Sequence, residues 1–350
     1  MDTQIAIPAP FDIDLFSSCA ESQTAPNLSD RIQMPELPEV EVLRRHLSNA
    51  LVGRTISRVQ VLRPRTVQPS TSSAQTERLS GFTVRSVDRR GKFLMLRGAL
   101  ASGRPESCTI HLGMTGRVYV TDASTPLAKH AVVTCELEGE GPNSLRFEDV
   151  RGFGFWRVGD EHEPRLGPEP WDPHLTPERL HSQAQRSRQA IKTLLLDQQF
   201  IAGVGNIYAS EALFRSRIHP ETRGCQFSTE LWGRLLEAVQ ATLSGAIELG
   251  LQQTLDWEGR ANSDGLFYFG NAAPETGTSA ERFLVYDRAG QPCSSCASPI
   301  QRSVQAQRST YFCPQCQPSF TPASPGTRQG AQARRKARRS PKPKREPEAK

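Results

Sequence analysis

The string Pro35-Glu36-Leu37-Pro38-Glu39 sets a proline and an acid at the head of a helical stretch, directly after Met34. In a chain that begins at Pro35, the first group is a ring-constrained secondary amine with a carboxylic acid beside it. Such an amine attacks a sugar aldehyde carbon to give an iminium ion. The iminium has no N–H proton to lose, so it stays cationic and draws electrons from the adjacent carbon, which is covalent catalysis of the amine type. An α-amino group has a reference pKa of roughly 7.7–8.0, so a useful fraction is unprotonated near neutrality. Pro and Glu are also ordinary first-turn residues, and taken alone the string reads as a plain helix entry.

A second set carries metal chemistry. Cys293-x2-Cys296 and Cys313-x2-Cys316, sixteen residues apart, have the spacing of two tight knuckles that bind zinc through four thiolates. Four protein ligands leave no open position, so the expected zinc is structural and holds the intervening hairpin, which contains Gln307, Arg308, Ser309 and Thr310. The other four cysteines are scattered, a pattern of a reducing compartment without a disulfide framework.

Four further motifs each have two readings. Gly203-Val204-Gly205-Asn206-Ile207-Tyr208 is a helix start capped by Asn206 whose backbone N–H groups suit a phosphate, or a tight turn between packed helices. In His111-Leu112-Gly113-Met114-Thr115-Gly116-Arg117, Met114 is an apolar wedge for a base stack or a core methionine. In Asp149-Val150-Arg151-Gly152-Phe153-Gly154, Arg151 fills space or pairs with a base edge, or bridges to Asp149. Lys92, after Arg89-Arg90-Gly91, is a phosphate clamp or proton carrier, or an exposed strand-end lysine.

The elements that position these residues change character along the chain. Val40–Leu51 has helical apolar spacing. Short β-like runs follow at Thr55–Leu62, Phe82–Asp88, Lys92–Arg97, Thr109–Leu112, Arg117–Thr121, Ala131–Leu137, Ser144–Glu148 and Phe153–Val158, which predicts an antiparallel sandwich or barrel. Thr66–Glu77 reads as a loop. Helices are expected over Ser187–Gln199, Asn206–Arg217 and Ser228–Leu249, and a loop over Gly259–Gly277. The chain of 350 residues holds about two domains. Its formal charge of +6 is uneven: −4 over residues 1–33, +8 over 318–350, and +2 between them. Any nucleic-acid surface on the folded part therefore needs local clustering of cations. Residues 1–33 read as a disordered extension or a start codon placed too early, and 318–350 as a disordered basic tail. With 37% hydrophobic residues and no apolar run near the roughly 18 residues of a membrane span, no membrane is expected.

Together the motifs, in their order over about residues 34–317, resemble the formamidopyrimidine-DNA glycosylase family of bacterial enzymes that excise oxidised purines. Pro-Glu-Leu-Pro-Glu looks like its purine-repair branch; the branch that removes oxidised pyrimidines usually has Gly where Leu37 stands. The resemblance implies an α+β chain: an N-terminal antiparallel β-sandwich with a leading helix over 34–165, a helix-two-turn-helix domain with a base-capping loop over 166–280, and a four-cysteine zinc finger over 281–317. It implies a glycosylase and abasic-site lyase that forms a Schiff base at Pro35 and cuts the strand by β,δ-elimination. Glu36 is then the neighbouring acid, Lys92 a phosphate contact that assists elimination, and Arg308 the finger arginine that grips phosphate with Asn206. Met114, Arg151 and Phe153 match the trio that fills the space left by a flipped nucleotide, and His130 in Ala-Lys-His a DNA contact. One structural zinc at Cys293, Cys296, Cys313 and Cys316 is implied, with no redox or nucleotide cofactor. The implied partner is double-stranded DNA with oxidised bases or abasic sites, met by a monomer in the bacterial cytoplasm. The chain departs from the family at the Arg151 tip, which usually reads Asp-Pro-Arg-Arg-Phe-Gly, and at Gln307, where many members have Gly. It also departs in the leader, which makes Pro35 an amide if it is retained.

Overall fold

The computed structural model describes residues 35–64, 77–159, 165–252 and 283–319. The leader, most of Thr66–Glu77, the Gly259–Gly277 loop and nearly all of the tail lie outside the described residues.

Helix α1 (Leu37–Leu51) begins where Glu39 turns back, its carboxylate accepting the Glu36 N–H at 2.9 Å. In return the Glu36 side chain accepts from the backbone of Glu39, and its carboxylate also reaches beyond its own helix. Leu37, Val40, Leu43, Leu47 and Leu51 form the buried stripe that the helical spacing predicts. Eight strands follow: β1 (Thr55–Val61), β2 (Phe82–Arg90), β3 (Phe93–Ala99), β4 (Pro105–His111), β5 (Gly116–Thr121), β6 (Ala131–Leu137), β7 (Ser144–Asp149) and β8 (Phe155–Val158). They pair antiparallel in the order β5-β7-β6-β1-β2-β3-β4-β8. β4 and β5 lie towards opposite ends of that order, yet only Leu112–Thr115 separates them in the chain. So short a link forces the sheet to curl onto itself, and Phe147 of β7 meets Trp156 of β8 at 6.2 Å across the interior. The result is the expected sandwich, its core shared with α1. Phe153, expected in the last strand, precedes it, because β8 starts at Phe155.

The second lobe contains α2 (Pro177–Ala184), α3 (Ile191–Leu196), α4 (Asn206–Arg215) and α5 (Thr229–Leu251). It packs around Trp232, Leu213, Ile207 and Leu195. α2 escapes the periodicity reading because only Leu180 and Ala184 are buried on it; its signal is the Thr176 cap, which accepts the Arg179 N–H, followed by Pro177. The helix expected over Ser187–Gln199 is only Ile191–Leu196. Ala190 is extended and forms an antiparallel bridge with Arg223, which stops the helix short. α5 carries Ile247 into the sandwich core, so one helix belongs to both lobes.

The finger is a hairpin of β9 (Gln301–Gln305) and β10 (Arg308–Phe312). Ala306 and Gln307 both have positive φ, 46° and 61°, as a two-residue turn between twisted strands requires. Glu211 of α4 secures the chain that leads into the finger: its buried carboxylate accepts the N–H groups of Leu284, Val285 and Tyr286, each at 2.9 Å. Glu211→Ala removes three charge-assisted bonds, and the expected cost is about 3 kcal/mol or more. Hydrogen exchange checks it: the amides of Leu284–Tyr286 should lose protection before those of α1.

Candidate active site

Two helix starts meet at the junction of the lobes. Leu37 N donates to Gly203 O at 3.3 Å. The Glu36 carboxylate, 1% exposed, accepts the first free N–H groups of α4, from Ile207 at 2.9 Å and Tyr208 at 3.4 Å. Gly203 and Gly205 make this approach possible. Gly203 has φ +92°, and a Cβ there would lie 2.2 Å from a Leu37 methyl; a Cβ on Gly205 would lie 2.2 Å from the Glu36 carboxyl carbon. The N–H groups read as a phosphate seat are thus filled by a carboxylate of the same chain. Asn206 is not the cap either. Gly205 holds that position and Asn206 opens the helix. Glu39 completes the joint by accepting the Tyr208 hydroxyl at 2.5 Å. Pro35 is buried at the head of this joint.

Lys92 sits in the β2–β3 turn, which is pinned from outside the sandwich. Glu169 accepts Gly91 N at 2.6 Å and both outer nitrogens of Arg89 at 2.7 and 2.9 Å, while Arg89 Nε donates to Glu41 at 3.0 Å. The side chain is half-buried, against the default of an exposed strand end. Loss of hydration lowers the Lys92 pKa; Glu36 opposes this, and the Arg308 cation adds to it. Burial raises the Glu36 pKa against the pull of Lys92 and the two backbone N–H groups, and Glu39 raises it further. The amine side of the pair therefore loses its proton more readily, and the acid side keeps its own more readily, than in water. That is the arrangement general acid–base chemistry uses near neutral pH.

Arg308 opens β10, its side chain exposed and without a hydrogen-bond partner among the described residues. Its hairpin is held by Lys192, which sequence reasoning misses. Lys192 lies on the apolar face of α3, 1% exposed, and its Nζ donates to Ser309 O at 2.9 Å and Thr310 Oγ1 at 2.8 Å. Burial pushes its pKa down to about 7. Tyr286 is also missed: burial, then the Glu36 charge, raises its pKa beyond the ordinary tyrosine range.

The second group is the pair of turns beside Lys92. The Asp149 carboxylate accepts Thr115 Oγ1 at 2.6 Å, Arg151 N at 3.2 Å and Gly154 N at 2.6 Å, so it ties the Met114 turn to the Arg151 turn. The Arg151 guanidinium does not bridge to Asp149; it lies over the Phe153 ring at 4.9 Å. Phe153 is 58% exposed, and Met114 is half-buried. His111 stacks on Phe155 at 5.6 Å, and burial, then Lys92, hold its pKa down to about 4. His130 is adjacent, its carbonyl accepting Asp149 N at 3.0 Å.

The four cysteines form a separate cluster. Their sulfurs all lie within 4.8 Å of one another, and Ser295 N and Cys316 N each point at a knuckle sulfur at 3.4 Å. A four-thiolate set this close fits one tetrahedral zinc of structural type. No helix of the described residues is long and apolar enough to cross a membrane.

Fold and site define a DNA repair glycosylase with a zinc finger. The family description "Formamidopyrimidine-DNA glycosylase N-terminal domain" matches residues 34–156, its "H2TH domain" 166–256, and "Zinc finger found in FPG and IleRS" 290–318. A formamidopyrimidine-DNA glycosylase of Geobacillus kaustophilus is 38% identical over 296 residues, covering 81% of this chain and 100% of that one. One from a Synechococcus strain is 38% identical over 295 residues, covering 81% and 99%. Among solved structures, Lactococcus lactis Fpg in complex with DNA containing an abasic site is similar at TM-score 0.69 and 30% identity, covering 81% of this chain and 100% of that one. MutM in complex with DNA containing carbocyclic 8-oxo-G is similar at 0.68 and 30%, with the same coverage. The chain belongs to the formamidopyrimidine-DNA glycosylase family of base-excision repair.

Two outcomes are expected from this geometry. Gly205→Ala forces the Glu36 carboxylate off the α4 start, and base excision should fall roughly a hundredfold or more while the four-cysteine site still takes up zinc, read by single-turnover kinetics and metal analysis. Lys192 binds fewer protons folded than unfolded between pH 7 and 10.5, so stability rises with pH across that window. Lys192→Met should flatten the rise by up to about 1.4 kcal/mol per pH unit, read by urea melts.

Proposed function

We propose that the chain excises oxidised purines from double-stranded DNA and cuts the strand at the resulting abasic site, acting as a monomer. The observation that carries this reading is the buried Glu36, with its raised pKa, between Pro35 and the start of α4, facing Lys92. The DNA in solved relatives carries Fapy-dG or carbocyclic 8-oxo-G, lesions of the purine class.

In this reading the free amine of Pro35 gives its lone pair to C1′ of the damaged nucleotide. The N-glycosidic bond breaks, and the base leaves with that electron pair and takes up a proton. Glu36 holds the proton that opens the sugar ring at O4′, and the iminium forms between Pro35 and C1′. The cationic nitrogen acidifies the C2′ proton; its removal expels the 3′ phosphate, and a second elimination expels the 5′ phosphate. Hydrolysis then frees the amine. Lys92, whose pKa is lowered by burial and whose charge acts on Glu36, is the proton carrier. Asn206 and Arg308 grip the flanking phosphates, with Arg308 free of protein partners among the described residues for that purpose. Met114, Arg151 and Phe153 enter the stack at the place of the extruded nucleotide, and His130 meets the backbone beside them. The zinc holds the β9–β10 hairpin and takes no part in bond breaking.

Borohydride trapping on an 8-oxoguanine duplex tests the nucleophile. Pro35→Gly, or methylation of the terminal amine, should lower the trapped adduct by roughly tenfold or more. Full trapping after either change removes Pro35 from the chemistry. Excision of 8-oxoguanine should exceed that of thymine glycol on matched duplexes, and the reverse order would favour a pyrimidine enzyme.

A further inference from the structure

The end of β1 places a cation beside His130 that no motif singles out. Beyond Val61 the chain stays on the sheet for two residues, because Leu62 N and Arg63 N both donate to Val132 O, at 2.8 and 3.3 Å. This sets Arg63 against the start of β6. Its Nη2 donates to Lys129 O at 2.5 Å and lies 3.3 Å from His130 Nδ1. A guanidinium has donors only, so Nδ1 is the acceptor and the ring proton sits on Nε2, the nitrogen remote from Arg63.

Charge separates this arginine from others on the same sheet. Arg58 is paired with Glu136, Arg97 with Asp88 and Arg104 with Glu106. Arg63 has a carbonyl and an imidazole as partners, so its charge is not neutralised by an acid among the described residues. Its Nε and Nη1 make no hydrogen bond among the described residues, and the side chain is half-exposed. The position is informative too. The His130 carbonyl holds Asp149 N, and Asp149 is the residue that organises the Arg151–Phe153 turn. A cation fixed within one residue of the root of an apolar wedge lies where the phosphates of a duplex must pass when the wedge enters the stack.

We propose that Arg63 is a further DNA ligand of this chain. It forms with His130 a two-donor clamp, guanidinium plus Nε2–H, for a backbone phosphate beside the Arg151–Phe153 turn. The clamp rests on the glycosylase reading, and Arg63 has two tasks in it: it supplies charge, and it fixes the histidine with its donor pointing outward.

The test uses the Pro35-starting chain with zinc bound and a duplex holding a stable abasic-site analogue. Affinity is measured from about 50 to 200 mM salt. Arg63→Ala should weaken binding roughly three- to tenfold at the lower salt and reduce the slope of log K against log salt by about 0.9, the loss of one phosphate contact. Arg58→Ala, which removes the same charge from the strand that leads to Arg63, should leave the slope as it is. His130→Ala combined with Arg63→Ala should cost less than the product of the two single effects, because the pair acts as a unit. Nitrogen-15 shifts of the His130 ring should lose the Nε2–H pattern in Arg63→Ala. An unchanged slope in Arg63→Ala while the parent binds with strong salt dependence overturns the clamp alone. A parent that shows no salt-dependent affinity for the duplex overturns the glycosylase reading and the clamp with it.

Discussion

One carboxylate joins the two lobes. Glu36 caps the start of α4 from the start of α1, and both positive helix ends share its negative charge. An ionised carboxylate fully removed from water is costly, and here two backbone N–H groups and the Lys92 charge offset that cost only in part, so Glu36 keeps a proton more readily than in water. The constraint propagates in both directions. It requires glycine at 203 and 205, because any side chain there would occupy the space of Leu37 or Glu36. It also brings the residue before Glu36 to the junction between lobes, so Pro35 is placed by the folding of two domains and not by its own helix alone.

The remaining parts of the site reach that joint through buried polar anchors. Lys192 ties the β9–β10 hairpin to α3, Glu211 ties the chain before the finger to α4, and Glu169 with Arg89 ties the Lys92 turn to the connection between the lobes. Each anchor satisfies two or more polar groups at once, which fixes a neighbouring residue of the site. The finger has only a small apolar cluster, Ile300 and Tyr311 with Val285, which leans on Phe214 of α4 and is too little to hold a hairpin without a metal. Its positive-φ turn at Ala306 and Gln307 is a local strain that the cysteine cluster and Lys192 hold in place immediately before Arg308.

Much of this is legible in the sequence. Period-two runs foretell the sandwich and helical spacing foretells α1, because the burial of those elements is one-sided and leaves a pattern. The spacing of the four cysteines identifies the finger outright. The family resemblance proposes roles for Glu36, Lys92, Asn206 and Arg308, and of these the fold buries Glu36 at the joint between the lobes. What a local pattern cannot carry is long-range. Nothing local says that the Gly-Val-Gly-Asn loop receives a carboxylate from Glu36, far earlier in the chain, so it reads as a phosphate seat with an asparagine cap. Lys192 reads as one lysine on a short apolar helix, and only the fold brings it under Thr310. Arg63 reads as the end of a strand, and only strand pairing sets it beside His130. α2 stays hidden because two buried positions make no periodicity, and α3 looks too long because a β-bridge at Ala190 overrides helix propensity.

The central claim is that the Pro35 amine, held at this joint, bonds covalently to deoxyribose. Two preparations decide it most directly: the chain from Met1 with its leader intact, verified by mass spectrometry, and the chain beginning at Pro35. Each is mixed with a duplex containing a preformed abasic site and reduced with borohydride. The account predicts a covalent adduct at Pro35 for the second and none for the first. An equal adduct yield and equal strand cleavage by the chain that keeps its leader would contradict it.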